Sequence, residues 1–180
     1  SYNAEKGTHL VSAGEIHYEP LGIYPGKETD LNNISDGAEI AVPNDTTNEG
    51  RALLLLQENG LITLDPEAGI TATAMDITEN PHNIKIVELQ AEQVARTLPD
   101  VAFGVVNGNY ALQAGLSTSD AVALETADSE AIQQYVNVIA VREGNEENEG
   151  IQALVEVLKS DDIKTFINDT YQGSVVPYEG

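Results

Sequence analysis

Two stretches of this chain carry the side chains best suited to holding a small charged molecule. The first is Val42-Pro-Asn-Asp-Thr-Thr-Asn-Glu-Gly-Arg51. Asn44, Asn48 and Arg51 fall just before and within what the pattern predicts as the first turn of a helix, and Asn48 and Arg51 are spaced to share a face. A helix N-terminus presents unpaired backbone N–H groups and a partial positive charge, so it favours an anion. Arg51 adds a planar fork of donors matched to a carboxylate. The same residues also suit a capped helix whose Arg51 pairs with Glu49 or another local acid. The second stretch is Val105-Val-Asn-Gly-Asn-Tyr110, where a strand runs through a glycine turn into a helix. That places Asn107 and Asn109 at the carboxyl edge of a sheet, where open α/β folds bind ligands. An Asn amide offers a donor and an acceptor and so suits an ammonium and a carboxylate together, although both Asn also fit turn positions.

Catalytic chemistry has weaker support. His9, His17 and His82 lack metal-ligand spacing, and Ser12 does not sit in a nucleophile elbow. Asp45 and Glu49 form a carboxylate pair without a nucleophile or metal partner. The acidic run of Glu143, Glu146, Glu147 and Glu149 lacks the Asp/Asn alternation of a calcium loop. We therefore expect a binding protein rather than an enzyme, with no cofactor and no metal.

The elements that must position these residues follow from local pattern. Ser1–Gly7 reads as the last turn of a helix, with extended segments at His9–Ala13 and Ile16–Tyr24 broken at Pro20 and Pro25-Gly26. A short helix or turn is expected at Leu31–Ile34 and a strand at Ala38–Val42. The clearest helix is Asn48–Asn59: Thr46 and Glu49 have capping-box spacing, Ala52–Leu56 is continuously apolar, and Asn59-Gly60 ends it. Strands are expected at Ile84–Leu89, Val101–Val106 and Val136–Val141, and helices at Ala91–Leu98, Asn109–Ala114, Ile151–Leu158 and Ile163–Tyr171. This alternation implies an α/β fold with mixed, mostly parallel sheets.

Composition narrows the partners. Eight Lys plus Arg against 30 Asp plus Glu leave a net charge of −22, which repels phosphate backbones and anionic lipid. Nucleic acid is thereby excluded as a main partner. With 41% hydrophobic residues a packed core is attainable. There are no cysteines, so disulfides and thiolate chemistry are excluded.

His17-Tyr-Glu-Pro-Leu-Gly-Ile-Tyr24, the two junction motifs, Tyr135-Val-Asn-Val-Ile-Ala-Val-Arg142 and Val175-Val-Pro-Tyr178 resemble the NlpA-type methionine-binding lipoproteins, in the same order and over essentially the whole chain. The resemblance implies a two-lobed, type II periplasmic-binding-protein-like fold outside the cytoplasmic membrane on a lipid anchor. It also implies binding of methionine, or a closely related amino acid or small peptide, between the lobes and delivery to the membrane subunits of an ABC importer. By position in the motifs, Arg51, Asn107, Asn48, Asn44 and Asn109 match the ligand-contacting residues. The alternative is a surface lipoprotein with a structural or host-interaction role and no transport function. Relative to the family, the part preceding Ser1 is missing, so residues 26–116 are expected to form a complete second lobe. Residues 1–25 and 117–180 would then form an incomplete first lobe, with self-association of the chain as an expected consequence.

Overall fold

The computed structural model describes residues 2–179. In chain order the elements begin with α1 (Tyr2–Lys6), β1 (Leu10–Tyr18), β2 (Leu21–Pro25), β3 (Glu39–Pro43) and α2 (Asn48–Glu58). They continue with β4 (Thr63–Leu64), β5 (Ile77–Glu79), β6 (Lys85–Leu89), α3 (Ala91–Thr97), β7 (Phe103–Asn107) and α4 (Gly108–Gln113). The last are β8 (Ala123–Leu124), α5 (Glu130–Tyr135), β9 (Asn137–Arg142), α6 (Glu149–Leu158), α7 (Asp161–Tyr171) and β10 (Val176–Pro177). Short 3-10 turns lie between several of them, including Leu31–Asn33 and Gly69–Thr71.

The chain divides into two compact units. One comprises Ser1–Tyr18 with Gln134–Gly180 and the other Glu19–Gln133. The second extends beyond the expected 26–116 at both ends for a concrete reason. β2 pairs with β7 along Leu21–Pro25, and β8 pairs in turn with β2 at Ala123 and Leu124, so both flanking segments belong to this sheet.

Within Glu19–Gln133 the sheet order is β6-β3-β7-β2-β8. β3 runs parallel to β6 and to β7, while β2 runs antiparallel to β7 and β8. The α/β class with mixed sheets holds, but parallel pairing does not predominate: two strand pairs are parallel and five antiparallel among the described residues. Parallel strands need a helical crossover, whereas β2, β8, β1 and β9 meet their neighbours through reversals of direction.

The alternation of each central strand divides the core into two faces. Ile40, Val42, Phe103 and Val105 point to one face, where they are fully buried with Leu53, Leu55 and Leu56 of α2. Ala41 and Val106 point to the other, packed with Val94 and Leu98 from the α3 segment, Tyr24, and Ala111 of α4. The continuous apolar run Ala52–Leu56 is explained by this arrangement, since all five residues are buried.

The other unit is antiparallel throughout, in the order β10-β1-β9. The two extended segments expected before Tyr24 are resolved differently. Leu10–Tyr18 is one continuous strand that passes register shifts at Ser12/Gly14 and Glu15/His17, and the break falls at Glu19-Pro20. Gly14 lies under Val155 of α6, and Tyr18 meets Tyr178 edge-on with ring centroids 6.3 Å apart. Asn148 caps α6 by accepting from the backbone N–H groups of Gly150 and Ile151. Leu154, Val157 and Phe166 remain exposed on α6 and α7.

Gly50 shows how tightly α2 is held. A Cβ at this position would lie 2.1 Å from the carbonyl oxygen of Ile70, in the 3-10 turn that crosses the helix. In an open helix, Gly→Ala stabilises by up to about 1 kcal/mol. Here overpacking against backbone, at about 1–3 kcal/mol, outweighs that gain. Gly50→Ala is expected to lower the midpoint of denaturant unfolding without changing its slope; an unchanged or raised midpoint contradicts this packing.

Candidate functional site

Because β3 and β7 are parallel, their carboxyl ends lie on the same edge of the sheet. β2 begins at that edge, with Leu21 opposite Asn107, and β8 finishes there. Four strand ends therefore bring together residues from distant parts of the sequence: Glu19, the 44–51 segment, Asn107 and Glu125.

The two junctions singled out in the sequence meet directly. Asn107 Nδ2 donates to Asn48 Oδ1 at 2.9 Å. Asn48 Nδ2 in turn donates to both carboxylate oxygens of Asp45 at 3.0 Å each. Asn107 Oδ1 is buried without a hydrogen-bond partner among the described residues. Asn44 and Asn109 lie nearby in sequence but are exposed; the Asn44 backbone N–H donates to Leu89, which ties the end of β3 to β6.

The start of α2 is organised differently from the expected capping box. Thr47 occupies the N-cap position without a side-chain bond, and Asp45 accepts from the backbone N–H groups of Thr47 and Asn48. Asp45 reaches these donors from one residue earlier than Thr46 and, being anionic, binds them more strongly. Burial opposes its ionisation, but the bonds from the Asn48 side chain and from the backbone of Asn48 and Thr47 outweigh it and hold the carboxyl below its ordinary value. Glu49, the expected box partner, instead accepts from the Ala74 N–H at 3.3 Å. Burial, followed by hydrogen bonding to Glu88, pushes its carboxyl upward.

Arg51 is buried, and the acid it grips is distant in sequence rather than a neighbour on the helix face. Its Nε donates to Glu125 Oε1 at 3.2 Å and its Nη2 to Glu125 Oε2 at 2.6 Å. Nη2 also donates to the carbonyl of Glu19 at 3.0 Å. Glu125 Oε2 accepts in addition from the Leu21 N–H at 2.7 Å. The fork expected to face an incoming carboxylate thus has one edge on a carboxylate of the chain itself. Sequence reading missed Glu125, which follows a two-residue strand and stands 74 positions from Arg51. Among the described residues no cluster of His, Cys, Asp and Glu is arranged to hold a metal ion.

The pattern described as NlpA lipoprotein matches residues 1–179. The D-methionine-binding lipoprotein MetQ of Salmonella typhimurium is 42% identical over 175 residues, which cover 96% of this chain and 63% of that protein. The chain thus spans a little under two thirds of this curated relative. A nutrient-binding protein from Burkholderia cenocepacia, solved bound to methionine, is 43% identical with a TM-score of 0.79, covering 97% of this chain and 73% of that one. An ABC transporter periplasmic substrate-binding protein from Coxiella burnetii is 41% identical with a TM-score of 0.79, covering 97% of this chain and 72% of that one.

Two expectations follow from the site's electrostatics. Removing one partner of a buried ion pair leaves the other uncompensated, at a cost of about 3–5 kcal/mol. Arg51→Ala should therefore destabilise the protein strongly in denaturant titrations, more than an exposed cleft residue would, whereas Arg51→Met with Glu125→Leu should recover much of the loss. An Arg51→Ala protein as stable as wild type would mean that the pair is not formed. The second concerns Glu49. Its raised folded-state value means that the stability it contributes is present below the ordinary carboxylate range and is lost as pH rises through that value. Glu49→Gln should raise the thermal midpoint at pH above 7, and the gain should shrink in acid; a gain independent of pH would rule this out.

Proposed function

We propose, from the premise that the chain belongs to the NlpA lipoprotein family, that its Glu19–Gln133 unit supplies the polar part of an amino-acid-binding site, with methionine as the ligand. The protein so read is an extracytoplasmic solute-binding component, lipid-anchored in its full form, that delivers its ligand to the membrane subunits of an ABC importer. It acts by binding rather than by catalysis. Support for methionine comes from the methionine-bound Burkholderia relative and from the name of the Salmonella one. Support for the importer comes from the Coxiella relative. No helix among the described residues is long and apolar enough to cross a membrane.

The observation that carries this reading is the Asn48–Asn107 hydrogen bond together with the unpartnered Asn107 Oδ1. A buried acceptor without a donor costs about 1–3 kcal/mol, and a ligand ammonium recovers it. Arg51 supplies a cation at this edge, shared with Glu125, whereas the N–H groups of Thr47 and Asn48 at the start of α2 are already taken by Asp45. Glu125 holds the guanidinium in one orientation, so Arg51 acts as a positioned charge and not as an open fork. Asn44 and Asn109, exposed on either side, are the more peripheral polar contacts.

Asn107→Ala is expected to weaken methionine binding by about tenfold to a hundredfold, the range of one lost hydrogen bond to a charged group. The thermal midpoint without ligand should move by only a few degrees, since the residue ends a strand and its amide lies outside the apolar core. Calorimetric titration of the purified protein is the check. Unchanged affinity, or no methionine binding by the wild-type protein, contradicts the reading.

A further inference from the structure

The polarity of the amide chain Asp45–Asn48–Asn107 has a direction, and one residue sets it. A carboxylate accepts hydrogen bonds and donates none, whereas an Asn amide can be turned either way. Asp45 presents both oxygens to the Asn48 side chain at 3.0 Å, so only the Asn48 NH2 group can face it. The Asn48 carbonyl must then point away, and it does, toward Asn107 at 2.9 Å. Asn107 can meet a carbonyl only with its own NH2 group, which leaves Oδ1 as the atom it presents. That atom is buried and without a partner among the described residues. The low carboxyl value of Asp45, maintained by these same bonds against its burial, keeps the first link an acceptor at neutral pH.

We infer that Asp45 is a specificity-determining residue that acts through Asn48 and Asn107. By fixing both amides it makes the site present a hydrogen-bond acceptor, and so selects ligands carrying an ammonium over the corresponding ligands without one. This rests on the reading that Asn107 contacts an amino-acid ligand. Asp45 touches no ligand in this scheme; it is a positioning residue.

Replacing Asp45 by Asn reverses the polarity while keeping the helix cap. The new amide retains a carbonyl for the Thr47 and Asn48 N–H groups, and Asn is as good a capping residue as Asp. Its NH2 group takes the place of Oδ2, and the retained oxygen, which also accepts from Asn48 Nδ2, is already engaged by the Thr47 and Asn48 N–H groups. Asn48 is therefore expected to turn its carbonyl to the new donor, and Asn107 to turn over with it and present a donor where it had presented an acceptor. The experiment compares methionine with its des-amino analogue, which keeps the carboxylate and the thioether, by titration of wild type and Asp45→Asn. Wild type should prefer methionine by about tenfold or more. In Asp45→Asn, methionine affinity should fall by about tenfold or more and that of the analogue should hold within about twofold, with the thermal midpoint shifted by only a few degrees. Equal losses for both ligands, or an intact preference, would overturn the inference. A wild-type protein that binds methionine but does not prefer it over the analogue would overturn it too, while leaving the methionine reading in place. A wild-type protein that binds neither removes the functional reading itself. A ligand-free measurement separates these cases: through-hydrogen-bond coupling in NMR should link Asn107 Nδ2 to Asn48 Cγ in wild type and Asn48 Nδ2 to Asn107 Cγ in Asp45→Asn. Coupling with the same direction in both proteins would defeat the polarity argument whatever the binding data show.

Discussion

Parallel strands that share a hydrogen-bonded ladder must end on the same side of their sheet, and in this protein everything of chemical interest depends on that constraint. β3 lies between β6 and β7 and runs parallel to both. Its exit into α2 and the exit of β7 into α4 are therefore neighbours in space, although Asn48 and Asn107 are 59 positions apart. The antiparallel β2 then contributes its beginning to the same edge, and β8 its end. The core serves this arrangement. Ile40, Val42, Phe103 and Val105 anchor one face under α2, and Ala41 and Val106 anchor the other under the α3 segment and α4, so the edge has little freedom to shift.

Charge at that edge is handled by internal pairing. A guanidinium taken out of water needs a partner nearby, and Glu125 meets Arg51 through two of its nitrogens while also accepting from the backbone of Leu21. The pair joins α2 to the segment that enters this sheet and to the segment that leaves it. In a chain with a net charge of −22, a positive group at the sheet edge is uncommon enough that its local environment matters more than the overall field. The acids near α2 are separated by function: Asp45 is kept ionised by the donors around it, whereas Glu49 is pushed toward its protonated form by burial and by Glu88.

Legibility in the sequence followed the range of the interactions. α2, α3, α4, α6 and α7 were readable from apolar spacing and stop signals, and both junctions from a strand pattern running into polar residues and glycine, because each of these depends on neighbours in the chain. The capping of α2 was misjudged by a single residue: Asp45 and Thr46 are both good acceptors, and only the backbone geometry chooses between them. The direction of β2 was not readable, since its apolar run Leu21–Tyr24 is compatible with either sense of pairing. Glu125 was invisible for a similar reason. It follows a strand of two residues, and its partner is brought to it by the sheet and not by sequence spacing. Resemblance to a known family supplied candidate ligand residues, but only the folded chain placed Asp45, Asn48 and Asn107 in one line.

The two units also differ in how the chain is threaded through them. Glu19–Gln133 is a single uninterrupted stretch, whereas the antiparallel sheet sets Leu10 opposite Arg142 and His17 opposite Pro177. During synthesis, which proceeds from the N-terminus, every strand of the five-stranded sheet has been made before β9 exists. β1 takes both of its described partners, β9 and β10, from far along the sequence, so its ladder closes over the longest separations among the described strand pairs. Assembly on the ribosome thus has a built-in order between the two sheets: every strand of the one that carries the polar residues is available before β9 and β10, the described partners of β1, have been made.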